Sequence, residues 1–261
     1  MRIFTVDCFS DRPFSGNPNA VGLISSAWPR EEWLQQLAAE VNLPATAFVR
    51  QVQPLPELRW FSPNSELKLC GSGTLAAAHI LSELDAGSAT MTFATCAGQL
   101  GAQREPDQRI TLDFPADDPH PIPVPLTISA ALGTTALAAA RGRYDLLAEV
   151  DSLEVVRELK PDLAAMASLD MRGLIVTAAG NKADCDFVSR YFAPGAGIDE
   201  DPVTASAHCT LGAYWSTKLN KTVMIGRQLS ARGGRVDVRL RGGRVDLSGR
   251  AVTVTRGELV I

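Results

Sequence analysis

RWFSPNSELKLCGSGTLAAAHILSEL, residues 59–84, runs from an aromatic strand through a polar turn into an apolar helix, and that order decides the fold. Arg59 to Phe61 is a short aromatic run, and Pro63, Asn64 and Ser65 supply turn chemistry in sequence. Leu67 and Leu69 then alternate with polar neighbours. Gly71, Ser72 and Gly73 break the strand, and from Thr74 the residues are apolar on nearly every side (Leu75, Ala76, Ala77, Ala78, Ile80, Leu81), which predicts a helix buried inside the fold. A buried helix opening leaves unpaired backbone N–H groups and a partial positive charge, and no Asp or Asn stands here to cap it. A bound anion would satisfy it. Cys70 and Ser72 flank the opening, where a thiol is expected to have a lowered pKa and to be able to exchange protons. The competing reading is a tight strand-to-helix turn in which Cys70 is a small buried hydrophobe.

A second copy weighs against the plainer reading. From Arg190 the chain reads RYFAPGAGIDEDPVTASAHCTLGAYWSTKL, so Arg59-Trp60-Phe61 is echoed by Arg190-Tyr191-Phe192, and Thr74-Leu75 by Thr210-Leu211. Matching the helices this way sets Cys70 against Ser206 and Ser72 against His208. The second loop is longer: Arg190 to Thr210 spans 20 positions and Arg59 to Thr74 spans 15. Such a repeat predicts two similar halves, each with a central helix, facing each other across a cleft into which both helix openings point. That cleft would hold a small carboxylate between proton donors.

The 261 residues are 46% hydrophobic and 21% charged with a net charge of −4, ordinary for a soluble globular chain. The charge gives no reason to expect nucleic acid or an anionic membrane as partner, and the locally basic run from Arg227 to Arg250 reads as solvated strands and turns. Five cysteines with no CxxC or Cys/His spacing argue against a disulfide framework and against a metal site. With no signal-peptide pattern and no apolar run near the ~20 residues of a membrane span, the cytoplasm is the expected compartment.

Along the rest of the chain, Met1 to Ser10 and Ala20 to Ile24 read as strands joined by the polar turn RPFSGNPN. Asn17 and Asn19 in that turn could present amides to a ligand, but Asn-Pro punctuation is the default reading. Pro29 to Glu40 is an amphipathic helix and Ala45 to Val52 a strand. Ala89 to Leu100 and Gln108 to Phe114 read as a hairpin. Phe114 to Pro125, with five prolines in twelve residues, is the expected linker, and His120 within it reads as exposed. The halves are therefore expected at residues 1–117 and 118–261, with the last strand able to return to the first half. Leu126 to Leu137 is read as a helix, Arg143 to Val150 as a strand or short helix, Ser152 to Lys160 and Asp162 to Met166 as helices, and Gly173 to Ala178 and Asp186 to Phe192 as strands. From Val236 the tail is a strand meander. The class is α+β.

VDCFSDRPFSGNPNAVGL, NLPATAFV, RWFSPNSELKLCGSGTLAAAHIL, DFPA and GIDEDPVTASAHCTLGAYW together resemble the PhzF-like family, named for a phenazine biosynthesis isomerase, within the wider diaminopimelate epimerase and proline racemase fold. The resemblance covers nearly the whole chain. It implies two pseudo-symmetric domains, each a sheet rolled around a central helix, an interdomain active site, a homodimer, no cofactor, and proton movement at carbon next to a carboxylate. It also implies where this sequence departs from its relatives. Ala45 stands at the position of the family's catalytic glutamate and Ser72 at that of its histidine. Asp201 keeps the acidic position of the EDP motif, Cys70 matches the acid/base cysteine of the epimerase and racemase branches, and Gly71, Gly73, Ser206, Asn17 and Thr46 fall at substrate-binding positions.

The leading expectation is a cofactor-independent isomerase or epimerase of a small carboxylate, with Asp201 as acid, Cys70 as base, and His208 or Glu66 assisting. Asp201 could instead be a turn residue in an Asp-Pro step, and His208 reads best as a satisfied core histidine. The rival class is a family member that keeps the anion-holding fold but has lost the chemistry and serves as a binding or interaction protein, motivated by Ala45 and Ser72. A thiol hydrolase would rest on Cys70 alone, with no histidine paired to it.

Overall fold

The computed structural model of the chain describes residues 1–84 and 89–260. Two units divide it, Met1–Asp113 together with Ser248–Ile261, and Phe114–Leu247. The first comprises β1 (Arg2–Cys8), β2 (Asn17–Ile24), α1 (Glu31–Val41), β3 (Ala45–Arg50), β4 (Glu57–Phe61), β5 (Glu66–Leu67), α2 (Gly71–Leu84), β6 (Thr90–Thr95), β7 (Gly98–Arg104) and β8 (Ile110–Pro115). β1 is antiparallel to β2, β2 parallel to β3, β3 antiparallel to β4 and β4 parallel to β6, after which β6, β7 and β8 form an antiparallel meander.

The second unit comprises β9 (His120–Ile122), α3 (Leu126–Leu132), β10 (Ala138–Arg141), β11 (Leu146–Glu149), α4 (Leu153–Glu158), α5 (Leu163–Ala167), β12 (Leu174–Ala179), β13 (Phe187–Phe192), α6 (Ala205–Leu219), β14 (Val223–Gln228), β15 (Gly234–Arg241) and β16 (Arg244–Gly249). Its pairing repeats the same succession: β10 antiparallel to β11, β11 parallel to β12, β12 antiparallel to β13, β13 parallel to β14, β14 antiparallel to β15. β9 adds to the outer side of β10, and β17 (Ala251–Glu258) adds to β1 of the first unit, with Arg2 opposite Glu258 and Cys8 opposite Ala251.

The duplication reaches single side chains. Arg59 on β4 forks onto Glu66, with Nε to Oε1 and Nη2 to Oε2 both at 2.7 Å, and Arg190 on β13 forks onto Glu200 at 2.7 and 2.9 Å. Each guanidinium also lies over the aromatic ring two residues on, 5.2 Å from Phe61 and 4.9 Å from Phe192.

Both sheets are covered on two faces, which explains apolar runs with little alternation in β2 and β12. In the first unit α2 packs on β1, β2, β3, β7 and β17, while Leu34, Leu37 and Ala38 of α1 pack with Ile24, Phe48 and Phe61. In the second, α6 packs on β14 and β15, while Ile128, Val156 and Met166 of the shorter helices pack with Leu146, Val176 and Phe192. Fully burying a side chain such as Phe48 or Leu34 contributes roughly 1.5–3 kcal/mol. Among the described residues no helix is long and apolar enough to cross a membrane.

Several elements differ from the sequence expectation. The α2 helix begins at Gly71 and not at Thr74. Position 73 within the helix requires glycine because the backbone lies against Trp60: a Cβ there would come within 2.7 Å of Trp60 Cδ1. The expected strand from Ala89 to Leu100 is two, β6 and β7, so a meander replaces the hairpin. The helix expected to reach Leu137 stops at Leu132, where Gly133 takes a left-handed cap with φ +66°. The proline-rich segment carries β9, and β10 and β14 were not anticipated.

Candidate active site

At the opening of α2 the cap is a cysteine. The Cys70 carbonyl accepts from the Thr74 N–H at 3.0 Å and from the Thr74 hydroxyl at 2.7 Å, while its sulfur accepts from the Gly73 N–H at 3.3 Å. In place of an Asp or Asn, the Cys70 sulfur caps this helix, and a bound anion is not needed for the Gly73 N–H. Ser72 lies 3.5 Å from the Cys70 sulfur and donates to Asn19 Oδ1 at 3.2 Å, and Asn19 in turn donates to the carbonyl and side-chain oxygen of Asn17 at 3.0 and 3.2 Å. The Cys8 thiol donates to the Ser72 carbonyl at 3.3 Å, and burial, then the neighbouring Cys70 and Asp7, push it well above the ordinary thiol range. Ala45 sits opposite Asn19 in the parallel register of β2 and β3, only 2% exposed, and Thr46 beside it is buried with its hydroxyl unpartnered among the described residues. One end of the first sheet therefore gathers Asn17, Asn19, Ala45, Thr46, Cys70, Gly71, Ser72 and Gly73.

At the opening of α6 the N-cap residue, Thr204, makes no side-chain cap hydrogen bond. The Thr204 hydroxyl is turned away and donates to Asp201 Oδ2 at 2.5 Å. Gln228, buried on β14, clamps the loop: its Nε2 donates to the Asp201 carbonyl at 2.7 Å and its Oε1 accepts from the Thr204 N–H at 2.9 Å. Asp201 is further fixed by its own N–H donating to the Tyr191 carbonyl at 3.1 Å. The carbonyls that close the first turns belong to Cys70 and Thr204, accepting from Thr74 and His208. Matching these carbonyls pairs Ser72 with Ser206 and Thr74 with His208, two residues from the match suggested by Thr-Leu identity. Helix geometry, not residue identity, fixes the equivalence.

Ser206 accepts from Arg172 Nη2 at 3.0 Å. Arg172 is held by Asp145, which is 1% exposed: Nε donates to Oδ1 at 2.9 Å, Nη2 donates to Oδ2, and the Tyr191 hydroxyl donates to Oδ1 at 2.9 Å. Burial is the largest single influence and opposes the arginine's charge, but Asp145 and Tyr191 together outweigh it, so the pKa lies above the ordinary arginine value. For Tyr191, burial first and then the Asp145 carboxylate raise the pKa well above a phenol's, which keeps the hydroxyl a donor.

Cys70 and Ser72 thus stand at the opening of α2, and Asp201 and Ser206 at the opening of α6. The two suggested assistants do not fit that role. Glu66 has both oxygens engaged by Arg59. His208 is a core residue whose Nδ1 bonds the Thr204 carbonyl at 2.8 Å, and burial lowers its pKa to about 4. Sequence reading missed Arg172, Asp145, Tyr191 and Gln228, because each reaches the α6 opening from a separate element. The one available signal was Asp145, a carboxylate directly before the apolar run Leu146-Leu147-Ala148. No group of His, Cys, Asp and Glu side chains able to hold a metal ion occurs among the described residues.

The family model described as phenazine biosynthesis-like protein matches residues 6–257. A Pseudomonas aeruginosa protein named an uncharacterized isomerase is 46% identical over 255 residues, which cover 97% of this chain and 96% of that one. The crystal structure of a phenazine biosynthesis PhzF-family protein from Enterococcus faecalis is 38% identical and aligns with a TM-score of 0.95 over 100% of this chain and 99% of that chain. A probable proline racemase from Agrobacterium radiobacter, 14% identical with a TM-score of 0.63 over 100% and 93% of the two chains, shares the fold alone. The architecture is the α+β fold of the diaminopimelate epimerase type. The chain belongs to the phenazine biosynthesis-like, or PhzF-like, family of isomerases and epimerases.

Proposed function

We propose that the protein is a cofactor-independent isomerase or epimerase that moves a proton at carbon next to the carboxylate of a small substrate, using the helix opening of each half. The observation that supports this most is Asp201, whose carboxylate accepts from the Thr204 hydroxyl at 2.5 Å and whose backbone carbonyl accepts from the buried Gln228, at the opening of α6. Cys70, as thiolate, takes the proton from carbon. The electron pair left behind delocalises into the substrate carboxylate, and protonated Asp201 returns a proton to another face or carbon. In this reading Ala45 occupies the place of the family glutamate, so Cys70 carries the base role alone. The same reading takes the protein to be a cytoplasmic homodimer working without metal, and EDTA is expected to leave the reaction unchanged.

The test is solvent-deuterium incorporation into a panel of small chiral carboxylates. Wild-type protein is expected to incorporate deuterium, and Asp201→Ala or Cys70→Ala to lose about a hundredfold or more of that rate. Absence of incorporation across the whole panel rejects the reading. A second reading, a carboxylate-binding protein without turnover, draws on Ala45, where a buried alanine offers no ionisable group. Thermal stabilisation by carboxylates without exchange favours it. Activity gained by Ala45→Glu would show that only the base had been lost.

A further inference from the structure

Arg172 precedes β12 and makes an unusual division of its donors. Nε and one N–H of Nη2 are committed to Asp145, and the other N–H of Nη2 to Ser206 Oγ at 3.0 Å. Nη1 has no hydrogen-bond partner among the described residues, although 40% of the side chain is exposed. Asp145 is buried and takes a third bond from the Tyr191 hydroxyl. An uncompensated buried carboxylate is costly, so Asp145 locks the guanidinium in one orientation and does not leave it to sweep the surface. The Tyr144 and Tyr191 rings lie 5.2 and 5.9 Å from the guanidinium carbon and restrict it further.

Ser206 is changed by this contact. Its oxygen receives the Arg172 N–H, so its own hydroxyl proton remains to be donated. Thr204, the N-cap of α6, makes no side-chain cap hydrogen bond to the first turn, where Ser206 lies. Two oriented donors, Nη1–H and the Ser206 O–H, thus sit at a dipole-positive helix opening, a donor set suited to the two oxygens of a planar anion.

We infer that Arg172 is a substrate-binding residue that, with Ser206, takes the carboxylate of the substrate, and that Asp145 and Tyr191 are its positioning residues. The identity of the ligand as a reacting acid rests on the isomerase reading above. Binding itself does not. The substrate class is an acid whose carboxylate is read by charge and by two donors, so a neutral amide of the same shape is rejected.

Calorimetry with malonate, succinate and benzoate against malonamide, succinamide and benzamide tests it. Wild-type protein is expected to bind at least one acid and none of the amides. The double variant Arg172→Gln/Asp145→Asn, which leaves no buried charge unpaired, is expected to weaken acid binding about tenfold or more and Ser206→Ala about threefold. Arg172→Lys is expected to restore part of the acid preference through charge without the fork. An unchanged acid Kd in the double variant, or in Ser206→Ala where the double variant does not fold, overturns the inference. So does a wild-type protein that binds none of the acids. Deuterium exchange separates the two claims: exchange with unaltered KM in the double variant removes the anchor and keeps the isomerase, whereas Arg172-dependent binding without exchange does the reverse.

Discussion

His208 shows what burial does to a single titratable group. A carbonyl can only accept, so the 2.8 Å contact with Thr204 fixes the proton on Nδ1 and leaves Nε2 bare and unpartnered among the described residues. Burial lowers the pKa from 6.5 to about 4, while the Thr204 bond works weakly the other way. The folded state binds the proton less readily than the unfolded chain, so stability is complete above about pH 6.5, falls as pH drops from there, and levels off below about 4. The loss amounts to about 3 kcal/mol over that window. Urea unfolding of wild type and His208→Gln at successive pH values should show a flatter slope in the variant. Parallel slopes would contradict the assignment. The core reading of His208 was available in its apolar helical surroundings, and Asp201 and Cys70 were legible because they adjoin turn and glycine signals. Arg172 was not, since it lies 34 positions from Ser206 and only the fold brings them to 3.0 Å.

Among the elements, α2 depends on a close approach that composition does not reveal. The Gly-Ser-Gly run looks like a strand breaker, yet Gly73 is a contact point with Trp60 Cδ1 2.7 Å and Cys70 Sγ 3.2 Å from where a Cβ would stand. Trp60 is fully buried and has no room to retreat. Gly73→Ala should therefore destabilise by about 1–3 kcal/mol and disturb Cys70, whereas Gly101→Ala on β7, with open space around it, should not. Thermal unfolding of the pair checks this, and equal melting temperatures would refute it. The β10 strand was illegible for a different reason. Its sequence AAAR favours helix, and it is extended because β9 and β11 pair with it on both sides. Pro121 is tolerated in β9 as a short outer strand.

At the scale of the whole molecule, the duplication was legible through Arg-aromatic-Phe and the helix that follows, and the forked Arg59–Glu66 and Arg190–Glu200 pairs show that the repeat is structural as well as textual. The return of β17 is less easily read, because alternation marks a strand without naming its partner. β17 pairs with β1 along nearly its whole length. Truncation after Arg250 should strip one neighbour from β1 and contacts from α2, so that trypsin cuts within residues 1–113 well before 114–247. Equal protection of the two stretches would argue against the closure.

The β1–β17 ladder also sets an order of events during synthesis. Once β1 and β2 are made they can pair at once, but the other edge of β1 waits for residues 251–258. Until those residues are made, the nascent first half is an unfinished sheet with an unpaired border, a state that invites chaperones.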